Sequence, residues 1–406
     1  MKLQAHHLEP LHPYTQRQIE HRQFSGISWC VEQQGVVIDQ AAFGYSDAAQ
    51  LTPIQDDTLY RLYSMTKSVV SVRCLQLIDS GALKLDDPIS HWLPAFADQQ
   101  VLSDSGALVP LQRAITIEDL LTHRSGLSYD FLPDCSVADQ YRAARFAADG
   151  ARPLAELVHM LGEIPLACQP GERWHYSYST DVLAHIIELI CQRSLGESLD
   201  ESLFAPLGMS ETGFQVDSDA RHRLATMYGQ RELGEVPEVV VSSDSPVADE
   251  PVGNKLQIMD VSESYPADNP NFARGGIGLF STMNDYRRFM HVLMQGTAPS
   301  GQVLLSEPLL DMSWRNRLSD AQMPICIGQN CAPGYGWNLT GRVMSDLSKA
   351  EINSVADEGG WSGAASTYFW IDRKHGISGI VMTQYLGSAI MLGPGMQSLV
   401  YGSVTS

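Results

Sequence analysis

An α+β fold, with one sheet gathered from the two ends of the chain and helices between, is predicted by three features of this sequence. Strand-turn-strand patterns stand near residue 30 and again near residue 375. The long interval between them carries mostly helical apolar spacing. The interval also holds an acidic, proline-bearing segment without periodicity, which reads as a loop inserted in a helical region.

In chain order, residues 27–32 and 36–43 flank Gln33-Gln34-Gly35 and predict the first hairpin. The stretch 64–80 places Met65, Val69, Val70, Val72, Leu75, Leu77 and Ile78 round most of a helix, and Gly81 supplies the stop. Further helices are expected at about 117–123, 153–162, 180–193, 197–205, 282–295 and 306–314, with one at each terminus. The second hairpin pairs 366–371 with 377–382 across Asp372-Arg373-Lys374-His375-Gly376. Two lobes follow: residues 1–75 with 272–406 form an α/β lobe, and 76–271 a mainly helical one. Residues 235–271, rich in carboxylates, read either as a lip over a site or as a solvated acidic insertion.

The 406 residues carry 44% apolar and 18% charged side chains, an ordinary globular balance able to fill a sizeable core. A net charge of −20 repels nucleic acid and anionic membrane surfaces, so neither is expected as a partner. Residues 1–16 lack the apolar run of a signal peptide, and no stretch reaches the length of a membrane helix, so a soluble, cytoplasmic chain is expected. The seven cysteines show no paired Cys-x-x-Cys spacing, so no metal is implied. Cys326 and Cys331 are expected as a reduced pair in a loop.

The chemistry centres on Ser64-Met65-Thr66-Lys67. A lysine three residues after a serine lies one helical turn above it on the same face, which brings a base to a hydroxyl that is otherwise a poor nucleophile. Burial lowers the lysine pKa, and the positive end of the helix favours an alkoxide-like oxygen. Serine is also an ordinary helix cap with no chemistry attached. Two other segments add to the pattern. Tyr176, within Trp174-His175-Tyr176-Ser177-Tyr178, precedes the helix at 180–193, where a phenol can relay protons or simply pack. Glu358 to Ser366, containing Gly359-Gly360-Trp361-Ser362-Gly363-Ala364, runs into the strand at 366 and suits close approach of a substrate to an edge-strand backbone, or else a glycine turn without a role.

Ser64-x-x-Lys67, Tyr176-Ser177-Tyr178 and Trp361-Ser362-Gly363 resemble, in order and spacing, the three motifs of serine β-lactamase-like hydrolases, the group of class C β-lactamases, DD-peptidases and family VIII carboxylesterases. The surrounding text is similar too, in Leu85-Asp86-Asp87-Pro88, Leu120-Leu121-Thr122-His123-Arg124-Ser125-Gly126-Leu127, Pro206-Leu207-Gly208-Met209 and Gly275-Gly276-Ile277-Gly278. The likeness covers about residues 25–390 and is closest to the esterase branch. It implies a β-lactamase/transpeptidase-like fold without cofactor. By the same likeness Ser64 is the nucleophile, Lys67 and Tyr176 form one coupled general base, and the Ser64 and Ala364 N–H groups make the oxyanion hole.

Two departures shape the expected substrate. Trp361-Ser362-Gly363 stands where lactamases and peptidases carry Lys-Thr-Gly, which replaces a carboxylate-binding cation with an apolar plate. Tyr178 stands where the motif has an asparagine, which replaces an amide with a bulkier wall. Both favour a small neutral ester as the partner molecule over a β-lactam. Acyl transfer to an alcohol and weak β-lactamase action use the same residues, and a non-catalytic sensor of the same fold is the reading from another class. An α/β-hydrolase elbow at Ser362 is disfavoured, because the strand follows the serine instead of preceding it. No histidine is required; His123 and His185 read as structural, and His175 is the one worth testing.

Overall fold

The computed structural model describes residues 1–103, 105–132, 135–230 and 256–405. Most of the predicted acidic loop, 235–255, lies outside the described residues; its remainder, 256–271, runs in turns with an isolated bridge between Ile258 and Tyr228.

The main sheet has eight strands: β1 (Gly26–Gln33), β2 (Val36–Asp47), β3 (Thr52–Pro53), β4 (Tyr335–Trp337), β5 (Arg342–Met344), β6 (Gly359–Ser362), β7 (Tyr368–Asp372) and β8 (Ile377–Met382). Their order is β4-β5-β6-β7-β8-β1-β2-β3, and each neighbouring pair runs antiparallel. The two chain ends meet where β1 pairs β8, with Trp29 opposite Val381 and Cys30 opposite Ile380. β1 and β8 are buried almost throughout because helices cover both faces at that seam. Helices Leu11–Glu20 and Leu392–Thr405 pack on one side, and Met283–Gln295 on the other.

One expectation is corrected here. The strand after Ser366 is not at an edge: β7 lies between β6 and β8, and Trp361 and Ser362 end β6, whose pairing with β5 reaches only Gly359 and Gly360. β4 and β5 are three residues long and carry no alternation of polar and apolar side chains, so nothing in their sequence marks the extension. The helix Ser136–Ala143 was likewise unforeseen, and the stretch read as 197–205 is broken into Leu195–Leu199, a π turn at Asp200–Phe204 and a short Ala205–Leu207 turn.

Cys326 and Cys331 form a disulfide, against the expectation of a reduced pair. Strands Ile325–Ile327 and Asn330–Ala332 make a small hairpin whose register sets these two residues directly opposite each other, a pairing that spacing in a presumed loop does not reveal.

The helix Thr66–Asp79 runs through the largest core cluster with ten of its residues buried, against helix Ser179–Cys191. Because its apolar residues surround the axis, it has no solvent face to leave open, and its N-terminus is where the catalytic candidates gather.

Candidate active site

Ser64 sits in a 3-10 turn, Tyr63–Met65, that leads into the helix beginning at Thr66. Tyr63 is buried with φ +47°, a left-handed conformation rare outside glycine, and turns the chain sharply as it enters the helix. Lys67 Nζ lies 3.0 Å from Ser64 Oγ and donates to the Gly276 carbonyl at 2.8 Å. Only 2% of Lys67 is exposed, and burial lowers its pKa to about 7, a fall that the Asp181 carboxylate opposes.

Tyr176 completes the group. Its oxygen accepts from the Trp361 indole N–H at 3.1 Å, and the Ser64 hydroxyl stands close enough to favour the phenolate. Lys67 Nζ stands 4.7 Å from the centre of the Tyr176 ring. Burial holds the phenol protonated far above neutral pH, although its contacts with Ser64 and Trp361 partly offset that. The ring is fixed by Trp174 stacked at 5.8 Å, His123 at 4.8 Å and Tyr129 at 5.1 Å.

The 363–365 turn is tied to the residue before Tyr63. A Cβ on Gly363 would lie 2.3 Å from the Leu62 carbonyl oxygen, so only glycine permits the approach. The Thr367 hydroxyl donates to that same carbonyl at 3.3 Å. Ala364 is exposed beside this contact, and among the described residues its N–H has no hydrogen-bond acceptor. Ser362 is half-buried at the end of β6.

Two expectations change. Trp361 is not merely an apolar plate; its N–H is committed to the Tyr176 oxygen, and its ring meets Trp337 edge-on at 4.5 Å. The Tyr178 hydroxyl points away from the nucleophile candidate to Asp130 Oδ1 at 3.4 Å, while its ring packs on Tyr129. Trp361→Phe should therefore lower kcat about tenfold, on the scale of one lost hydrogen bond, with little change in KM. A change confined to KM, measured by steady-state ester hydrolysis, would assign Trp361 to substrate contact instead.

The histidines take supporting places. His123 is fully buried with Nδ1 3.3 Å from Ser177 Oγ, and burial pushes its pKa well below the usual value. His175 Nε2 is 2.9 Å from Ser128 Oγ, and burial lowers its pKa to about 4. His185 pairs with Glu188 at 3.0 Å.

Asp181 is the residue that sequence reasoning passed over. Its Oδ1 accepts the Gly276 N–H at 3.0 Å, and the Gly276 carbonyl holds Lys67. Side-chain room at position 276 is absent, since a Cβ there would meet Asp181 Oδ2 at 2.5 Å and the Tyr129 oxygen at 2.9 Å. An acidic residue in the first turn of a helix reads simply as a complement to the helix dipole, which hid this second role.

Residues 12–391 match the family model described as Beta-lactamase. The chain belongs to the beta-lactamase family. Within the serine β-lactamase-like superfamily it lies near the family VIII esterases. Protein Rv1367c of Mycobacterium tuberculosis (strain ATCC 25618 / H37Rv) is 34% identical over 364 residues, covering 86% of this chain and 82% of that protein. Esterase EstB of Burkholderia gladioli is 28% identical over 386 residues, 94% and 92% of the two chains. In structure the chain resembles EstCE1, titled a hydrolase with promiscuous acyltransferase activity, with a TM-score of 0.78, 22% identity and coverage of 98% and 99%. These likenesses support a serine hydrolase or acyltransferase activity in this beta-lactamase family member. Among the described residues no helix is long and apolar enough to cross a membrane.

Proposed function

We propose that the protein is a serine carboxylesterase that cleaves small neutral esters through an acyl-enzyme on Ser64. The observation that carries this reading is the convergence of Lys67 Nζ and the Tyr176 phenol on one hydroxyl, with no carboxylate among the described residues in ion-pair contact with the amine. Neutral Lys67 takes the Ser64 proton as the oxygen attacks the ester carbonyl. Tyr176, protonated at rest, passes a proton to the departing alkoxide and recovers one through Lys67. The N–H groups of Ser64 and Ala364 receive the oxyanion. Water then attacks the acyl-enzyme by the same route in reverse. An alcohol can compete with water at that step, and the likeness to EstCE1, a hydrolase with promiscuous acyltransferase activity, keeps transfer as the second reading.

Esters are favoured over β-lactams because the position of the carboxylate-binding lysine holds Trp361, whose only donor is already engaged by Tyr176. Turnover of p-nitrophenyl butanoate is compared with that of nitrocefin, with and without added methanol. Ester hydrolysis should exceed nitrocefin hydrolysis by about 100-fold or more in kcat/KM, the scale expected when a charged ligand group loses its partner. Comparable rates would overturn the ester reading, and methyl ester as the major product would favour transfer.

A further inference from the structure

We infer that Thr367 and Ser366 are positioning residues for the proposed reaction: their hydroxyls fasten the loop between β6 and β7 so that the N–H groups of Ala364 and Ser64 serve one oxyanion. The inference deepens the esterase reading and rests on it.

Ser64 and Ala364 come from distant segments, and each lies in a turn of its own. The Ser64 turn is closed by the Met65 N–H, which donates to the Leu62 carbonyl at 3.3 Å. The Ala364 loop is closed twice, by the Ser366 N–H to the Gly363 carbonyl at 3.0 Å and by the Gly363 N–H to the Thr367 carbonyl at 2.8 Å. Among the described residues neither the Ser64 nor the Ala364 N–H has an acceptor. One oxygen joins the two turns. The Leu62 carbonyl that closes the first also receives the Thr367 hydroxyl at 3.3 Å, and Thr367 is fully buried. Without that hydroxyl the loop loses a tie to the Ser64 turn, and an oxyanion hole depends on donors held at fixed positions before the charge develops.

Ser366 fastens the same loop from another side. Its Oγ donates to the Tyr385 carbonyl at 2.9 Å, and the Tyr385 N–H donates to the Ala365 carbonyl at 3.0 Å, so two hydrogen bonds clamp the residues that follow Ala364. Ser366 has φ +65°, a left-handed conformation that glycine adopts at least cost. Glycine would suit that backbone but would leave the Tyr385 carbonyl without this donor. The serine hydroxyl is thus an anchor held in a conformation that disfavours its side chain.

The test measures kcat and KM for p-nitrophenyl butanoate and for its thiono analogue, in which sulfur replaces the carbonyl oxygen and accepts hydrogen bonds poorly. Thr367→Val keeps the side-chain shape and replaces the hydroxyl by a methyl group. It should lower kcat for the oxygen ester about tenfold with KM within about twofold, because the hole serves acylation and deacylation alike. The thiono ester should lose far less, so the oxygen-to-sulfur rate ratio falls. Thr367→Ser, which keeps the hydroxyl, should restore kcat to within about threefold of wild type. Ser366→Gly should lower kcat and the same ratio about fivefold, and it serves if the valine variant does not fold. Unchanged kcat and ratio in both variants would overturn the inference, as would an equal loss on both esters, a loss confined to KM, or a Thr367→Ser protein no better than Thr367→Val. A wild-type protein that turns over neither ester and takes no fluorophosphonate label would instead overturn the esterase reading, and this inference with it.

Discussion

Ser64→Ala is expected to reduce ester hydrolysis by about 10⁴-fold or more and to abolish labelling by a fluorophosphonate probe. In the proposed mechanism every proton moved by Lys67 and Tyr176 serves formation or breakdown of the acyl-enzyme on Ser64, so without that hydroxyl the pair has no intermediate to act on. Residual rate would come from the backbone donors alone. The variant should fold, because serine to alanine removes a single oxygen at a turn whose backbone is fixed by its neighbours. Unchanged melting temperature with lost labelling is the expected pair of results. Retained labelling of the variant would place the nucleophile elsewhere, and a wild-type protein that takes no label would leave the beta-lactamase-like sensor as the better reading.

Lys67→Ala should cost about 10³-fold or more, and the double variant with Tyr176→Phe should cost far less than the product of the single losses, because both residues serve one proton path. The pH profile gives an independent reading. Lys67 accepts a proton only as the neutral amine, and burial lowers its pKa to about 7, so kcat/KM should fall as the pH drops through about 7. Asp181 favours the ammonium form, hence Asp181→Asn should lower the lysine pKa further and move the acid limb to lower pH. An acid limb that moves upward, or stays fixed, would remove Lys67 from the role of resting base.

Much of this frame was legible in the chain. The two hairpins announced themselves by turn residues between apolar runs, and they are β1–β2 and β7–β8. The helix after Ser64 was readable because apolar residues on every side leave no other conformation that buries them. Less could be read where function depends on contacts between distant segments. Trp361 reads as a wall in the sequence, yet its N–H faces a phenol 185 positions away. Asp181 reads as a helix-dipole partner, yet it fixes the carbonyl that holds Lys67.

By itself the sequence determined the local units: which stretches bury a face, which turns close a hairpin, and that a lysine stands one turn from a serine. Those are properties of near neighbours, set by side-chain period and backbone freedom. Only the tertiary structure decided that β6 lies between β5 and β7, that Cys326 and Cys331 face each other, and that Tyr176 and Gly276, held by Trp361 and Asp181, meet a single amine. Such contacts join residues far apart in the chain, and their geometry follows from how whole elements pack, which no local pattern encodes.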